Sequence, residues 1–464
     1  MVYSSVVFIF VFLPAFIAGY YLLPKIWAKN LFLLIASLVF YFWGAGKLVI
    51  LLLVIGILAW LFSFFIVKTK FQKTFLILAV CTFSGILIYF RYIGFIIDNL
   101  IYVGVHNLPE IKTISTLGLS FFTFQAISYN IEVYRRNKRF EKNPAYVILY
   151  ITMFPQLILG PLVRYPAIEQ QLKKRQFDLP RFTEGVRRFI IGLGKKVLIA
   201  DQISYVVTQI VETDFWRIGP EVAWVGMVAF AIQFFFDFAA YTDMAIGVGK
   251  MLGFELPENF NYPYISRSIT EFWRRWHITL SNWIKDYIFS PMSMSLRYWG
   301  NAGTFFSLVV TFVVCGIWHG PTWNYMIWGL TQGVLMGLEA LFLLKLLQRI
   351  KGFGMLYTWF VLLVVGVLFR TQDLQHALDY YSAMFSLPRE GTLGLSSFFM
   401  KEHYLIMAVG IVLCVPISIS KFLKNKKMIK VFDYVYTFGL IVVFLLSVMR
   451  LITVSFIPFF YFKF

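Results

Sequence analysis

What most constrains this chain is a succession of apolar runs, many long enough to cross a bilayer, joined by short polar loops. A helix needs about 20 apolar residues to span the hydrocarbon. Candidate spans are Val6–Leu23, Leu31–Trp43, Leu48–Val67, Thr74–Ile97, Ile114–Tyr134, Gly185–Val211, Val222–Gly249, Thr304–Trp318, Trp323–Leu344, Phe353–Phe369, His403–Ser420 and Val431–Ile457. A soluble core could not hide so much apolar surface. Of 464 residues, 59% are hydrophobic and only 14% are charged, where soluble domains carry about 25% charge. In lipid the backbone must satisfy itself, which favours helices. The expected fold is therefore an all-α polytopic membrane protein of about twelve transmembrane helices, a single integral domain over residues 1–464. The sequence shows no internal repeat and no linker to a soluble domain.

The net charge of +19 comes from 42 Lys and Arg against 23 Asp and Glu. The cations fall in short clusters between apolar runs, the pattern of cytoplasmic loops facing anionic lipid, so the lipid bilayer and no nucleic acid is the expected partner. The clusters are Lys68–Lys73, Arg135–Lys142, Arg164–Arg188, Arg267–Arg275, Lys345–Lys351 and Lys421–Lys430. Placing them all in the cytoplasm puts both termini outside. It also leaves Tyr146–Val163 between two loops on one side. That stretch carries Pro155 and Gly160-Pro161, which break a helix, so it is expected to be re-entrant or buried. Asn259–Ala302 mixes Trp, Arg, His and Ser, and within it Ile269–Phe289 reads as an amphipathic helix at the cytoplasmic surface.

The three cysteines, Cys81, Cys315 and Cys414, lie in apolar stretches without a CxxC pair. Neither a disulfide framework nor a metal site is expected. The N-terminus lacks a basic n-region and reads as a retained first helix.

Five histidines carry the candidate chemistry. His106, His376 and His403 sit near expected outer loops and read as surface polar residues. His319 lies at the end of an apolar run, in Cys315-Gly-Ile-Trp-His-Gly-Pro321. An ionisable group there is costly and usually functional, and Gly320-Pro321 stops the helix so that the imidazole can face a cavity. The bland alternative is a structural histidine bonded to a backbone carbonyl. His277 lies in Glu271-Phe-Trp-Arg-Arg-Trp-His-Ile-Thr-Leu-Ser281. On a continuous helix, Trp273, His277 and Ser281 would share a face. Arg267, Arg274, Arg275 and Lys285 make this segment cationic, which suits a phosphate-bearing cytosolic donor or lipid head groups.

Other features point elsewhere. The glycines of Gly247-Val-Gly-Lys-Met-Leu-Gly253 have the wrong spacing for a dinucleotide fingerprint and suit close packing. Gly329, Gly333 and Gly337 form a small-residue ridge for a helix–helix contact. Cys315 shares a helical face with His319, yet a buried thiol is usually a small hydrophobe. Asp237 and Asp243 are intramembrane acids that could pair with a base, orient a histidine or carry protons.

The motifs resemble those of the membrane-bound O-acyltransferase family, in particular its alginate-acetylating branch. The resemblance rests on Met-Val-Tyr-Ser-Ser at the start with Phe12-Leu-Pro14, Tyr129-Asn-Ile-Glu-Val-Tyr-Arg135 and Phe154-Pro-Gln-Leu-Ile-Leu-Gly-Pro-Leu-Val-Arg164. Tyr241-Thr-Asp-Met-Ala-Ile-Gly247, Pro257-Glu-Asn-Phe-Asn261, Phe272-Trp-Arg-Arg-Trp-His277 and Cys315-Gly-Ile-Trp-His-Gly320 complete it. It implies a ring of helices with re-entrant or interfacial segments around a central tunnel, in the bacterial inner (cytoplasmic) membrane. His319 matches the family's nearly universal histidine, and His277 the histidine of its Arg-Trp-His motif. The chain departs from the alginate type after Tyr287, where it reads Ile288-Phe-Ser-Pro-Met-Ser-Met-Ser295.

The implied reaction is transfer of an acyl group, here acetyl, from a cytosolic thioester, acetyl-CoA or an acyl-carrier protein, to a polysaccharide hydroxyl. His319 is expected to be the base, or to carry the acyl group transiently. His277, Arg274 or Asn282 would hold the donor carbonyl or pantetheine arm, and Arg274, Arg275 and Lys285 the donor's anionic groups. An extracytoplasmic SGNH-hydrolase-like acetyltransferase is the implied partner that meets the polysaccharide acceptor. The alternatives are D-alanyl transfer to teichoic acid, a lipid acyltransferase of the same family, and a transporter or flippase without catalysis.

Overall fold

The computed structural model describes residues 1–105, 108–109, 118–135, 140–350, 352–387, 390–416, 426–454 and 459. His106 lies outside them, as do 136–139 and 421–425 of the expected basic loops. Among the described residues there is no β-strand, only an isolated parallel bridge between Ile218 and Leu393.

Among the described residues, seven helices are long and apolar enough to cross a membrane: Ile26–Lys68, Gln72–Tyr102, Pro220–Met251, Arg297–His319, Trp323–Arg349, Phe353–Arg370 and Met428–Thr453. The first holds two expected spans. At about 1.5 Å per residue it would be twice as long as the hydrocarbon is thick, and it divides at Gly46, whose φ of 53° is a left-handed conformation open to glycine. The halves, Ile26–Ala45 and Val49–Lys68, are each one bilayer long. Four other expected spans differ, and one of them, Ile114–Tyr134, is helical over Leu119–Arg135 among the described residues. The first apolar run is a shorter helix, Phe8–Leu22. Gly185–Val211 lies in a continuous helical stretch that carries Arg187, Arg188, Lys195, Lys196 and Asp201. His403–Ser420 is helical over Lys401–Leu413.

The described residues group into two compact units, Met1–Phe189 with Tyr241–Pro257, and Ile190–Ala240 with Glu258–Phe464. In the first unit, helix Leu119–Arg135 is buried nearly all round. Two of its polar side chains bond back to their own helix: Thr123 donates to the Leu119 carbonyl and Asn130 to that of Ala126. The segment expected to be re-entrant is broken and buried. Helix Pro144–Thr152 ends at Met153, and a single turn, Phe154–Leu157, follows. Nine residues reach only about 14 Å. The irregular backbone is held from inside the protein: Tyr3 donates to the Phe154 carbonyl at 2.7 Å, Ser37 Oγ accepts from Phe154 N–H at 3.0 Å, and Tyr150 donates to the Val163 carbonyl at 2.9 Å. The backbones at Gly247 and Gly185 touch, so any Cβ there would clash. Close packing is thus the use of that glycine cluster.

In the second unit, Gly300–His319 and Trp323–Leu338 form a tight pair. Gly316 and Gly329 meet backbone to backbone, Gly333 lies on Val309, and Gly337 lies on the Phe305 ring. The expected small-residue ridge is therefore this contact. Both intramembrane acids are paired with cations, Asp237 with Lys196 at 2.7 Å and, in the first unit, Asp243 with Arg188 at 2.7 Å.

Candidate functional site

His319 is the last residue of its helix. Gly320 follows in extended backbone and Pro321 cannot extend the hydrogen-bond ladder. The imidazole is 5% exposed. Around it stand Trp318, Trp328 and Phe369, with ring centroids at 4.6, 4.9 and 4.9 Å, and Tyr325 at 6.1 Å. The glycine contact with the partner helix brings Tyr325 and Trp328 this close.

The second histidine is reached differently from the expectation. Ile269–Phe289 is not one amphipathic surface helix. Helix Ile269–Arg275 stops, Trp276 is extended, His277 takes φ 44° and ψ 51°, and a new helix runs from Ile278 to Ile284. Trp273, His277 and Ser281 therefore do not form one helical face. A left-handed non-glycine residue is uncommon and persists only where its surroundings enforce it. Here a neighbouring segment does so: Asn261 N–H donates to the Arg275 carbonyl and Ile278 N–H to the Asn259 carbonyl, each at 2.9 Å. Trp276, buried, stacks on Phe272 and Phe234. The first short helix is capped by Ser268 Oγ and by the Glu339 carboxylate, which accepts from the N–H groups of Ile269 and Thr270 at 2.7 and 2.8 Å. These bonds and buried aromatics anchor one side of the segment in the protein, while Arg274, Asn282 and Lys285 are exposed.

His277 is 1% exposed. Its Nδ1 lies 3.1 Å from Asn259 Oδ1, and its ring packs on Phe238 and Trp318 at 4.7 and 6.3 Å. The Trp318 indole thus touches both histidine rings. Burial pushes the His277 pKa down to about 3.

Of the expected donor-binding residues, Arg274, Asn282 and Lys285 line one cavity of about 490 Å³, with Trp273, Cys315 and Met336 on its apolar walls. Arg275 turns to Glu271, at 2.9 Å, and to the Asn261 carbonyl. A small cavity of about 70 Å³ touches His319 itself, between Trp273 and Phe369. Phe369 and Tyr325 also wall a third, polar cavity of about 1030 Å³, with Gly320, Glu212, Arg370 and His376. Trp273, held by a bond from Nε1 to Gln332 Oε1 at 3.1 Å, is common to the first two cavities.

The outlying histidines separate. His376 is exposed and bonds to Asp373 at 2.8 Å. His403 is not the surface residue expected; it is 8% exposed and its Nδ1 accepts the Met400 N–H, capping its own helix. Sequence reasoning missed Asn259 as a partner of His277 and Glu339 as a cap. Asn259 stands inside the Pro257-Glu-Asn-Phe-Asn261 motif, whereas nothing local marks Glu339 within a spanning helix.

Among the described residues, a multi-span helical protein thus carries an imidazole at a broken helix end, in an aromatic cage between cavities, an arrangement suited to proton transfer away from water. Residues 39–372 match the membrane-bound O-acyltransferase family, and the chain belongs to it. It is 38% identical over 433 residues to the probable alginate O-acetylase AlgI of Pseudomonas aeruginosa, covering 88% of this chain and 81% of that protein. It is 29% identical to the peptidoglycan O-acetyltransferase of Helicobacter pylori, over 83% of this chain and 80% of that protein. Similarity to the teichoic acid D-alanyltransferase of Bacillus subtilis, 33% identical, covers 50% of this chain and 60% of the relative. The protein is a multi-pass membrane acyltransferase.

Proposed function

We propose that this protein moves an acetyl group from a cytosolic thioester donor to the hydroxyl of an extracytoplasmic polysaccharide in the bacterial cytoplasmic membrane. The observation that carries the reading is the position of His319. It touches a small cavity walled by Trp273, which also lines the Arg274–Lys285 cavity, and by Phe369, which also lines the large polar one. Arg274 and Lys285 bind the anionic end of acetyl-CoA or of a carrier-borne pantetheine, and the apolar wall accepts the arm. His319 takes the hydroxyl proton as the oxygen attacks the thioester carbonyl. The C–O bond forms, the C–S bond breaks, and the leaving thiolate is protonated. The aromatic cage excludes water, which protects the thioester from hydrolysis.

Acetyl is favoured over D-alanyl because the relatives named for acetylation align over most of this chain, while the D-alanyltransferase aligns over half. The large polar cavity is the end at which a polysaccharide or a separate SGNH-hydrolase-like partner receives the group. Mass spectrometry of envelope glycans from cells with and without the protein tests the reading. We expect O-acetyl esters to disappear in its absence. Unchanged acetylation together with lost D-alanine esters would transfer the assignment to teichoic acid.

A further inference from the structure

We propose that Asn259 is a positioning residue that holds His277 in its Nδ1–H tautomer, so that His277 works through the Nε2 lone pair as an acceptor or base. It would then not be the donor to a developing oxyanion. The argument begins at Thr279. Its backbone N–H points at Asn259 Oδ1 at 3.2 Å, and a backbone N–H can only donate. Turning the amide over would set an NH2 group against that N–H, so the atom facing the site is the oxygen. The Thr279 hydroxyl, at 2.9 Å from the same oxygen, adds a second donor. His277 Nδ1 faces an acceptor and must carry the hydrogen, which leaves Nε2 as the lone-pair nitrogen.

The surroundings keep the ring neutral. Phe238, from helix Pro220–Met251, and Trp318, from helix Gly300–His319, pack on it, and neither is charged. On its own segment, Arg274 opens into the donor cavity and Arg275 is paired with Glu271. Burial outweighs the ring's own backbone hydrogen bond and opposes an imidazolium. The left-handed turn at His277 fits this arrangement, because the Ile278-to-Asn259 backbone bond fixes the two residues side by side.

The tautomer can be measured on the intact protein without any assay of activity. Full-length protein labelled with 15N-histidine in lipid bilayers is compared with His277→Gln, which identifies the His277 signals. We expect one protonated and one bare nitrogen, assigned to Nδ1 and Nε2, unchanged between about pH 5 and pH 8. A proton on Nε2, or titration near the ordinary value of about 6.5, would overturn the proposal.

Asn259→Asp keeps the acceptor and adds a charge. It should raise the His277 pKa, so that the His277 nitrogen signals titrate about one pH unit or more above those of the wild type, while kcat falls and donor KM stays within about twofold. A folded Asn259→Asp enzyme whose His277 signals titrate as in the wild type would also sink the idea. This kinetic arm rests on the acyl-transfer reading. If wild-type protein transferred no acyl group, that reading would fail while the tautomer measurement still decided this one.

Discussion

At the residue scale, His319 and Cys315 lie one helical turn apart yet carry opposite expectations. His319→Ala and His319→Gln should lower acyl transfer by about 10²–10⁴-fold while the protein still folds, since neither side chain is a useful base. Glycan ester content and detergent melting, measured together, check this. Cys315 lines the donor cavity among apolar walls, so Cys315→Ser should keep most activity at a stability cost of about 1 kcal/mol. An inactive but folded Cys315→Ser enzyme would instead point to an acyl-thioester on that sulfur. The two arginines before His277 also differ. Arg274→Glu should raise donor KM about tenfold with kcat nearly unchanged, because its guanidinium opens into the cavity. Arg275→Glu should act mainly on stability, because Arg275 is already bonded to Glu271 and the Asn261 carbonyl. His277 adds a pH dependence to that stability. Its folded pKa is depressed, so the unfolded chain binds the extra proton between about pH 3 and about pH 6.5. Stability is full above that window and falls as the pH drops through it.

At the scale of elements, the backbone contact between Gly300–His319 and Trp323–Leu338 sets the cage around His319. A side chain at Gly329 would strike the Phe312 carbonyl and the Gly316 Cα. Gly329→Leu should therefore cost about 1–3 kcal/mol and loosen the cage. Thermal melting gives the first effect and kcat the second; unchanged values for both would show that the glycine contact is dispensable. The buried Lys196 bonds to Asp201 and Asp237, both at 2.7 Å. Lys196→Met leaves two carboxylates without their shared cation and should destabilise by about 3–5 kcal/mol. Adding Asp237→Leu to it should recover part of that loss in the same melting experiment.

On the scale of the whole molecule, the orientation of the spans decides which cavity meets which substrate. Cation clustering predicts that the Arg267–Lys285 segment lies inside and the segment after Arg370 outside. In a cysteine-free background, a cysteine at Tyr298 should react only with membrane-permeant reagent and one at Gln372 with impermeant reagent, both positions being exposed. The reverse pattern would invert the topology and remove the case for a cytosolic donor at Arg274.

Apolar length and cation clustering determined the class of protein, most of its spans and the non-spanning Tyr146–Val163, because bilayer thickness and proline geometry act locally along the chain. The same local logic marked His319, an ionisable group at a helix stop. It failed at Ile269–Phe289, where helical periodicity suggested one amphipathic helix. Only the tertiary structure decided that break: the backbone of Asn259–Asn261 binds Arg275 and Ile278 and holds His277 in a conformation its own sequence disfavours. Likewise Asn259 beside His277 and Glu339 at the cap depend on residues far apart in sequence. Periodicity reports which face of an element is apolar; which partner meets that face is settled when distant segments pack.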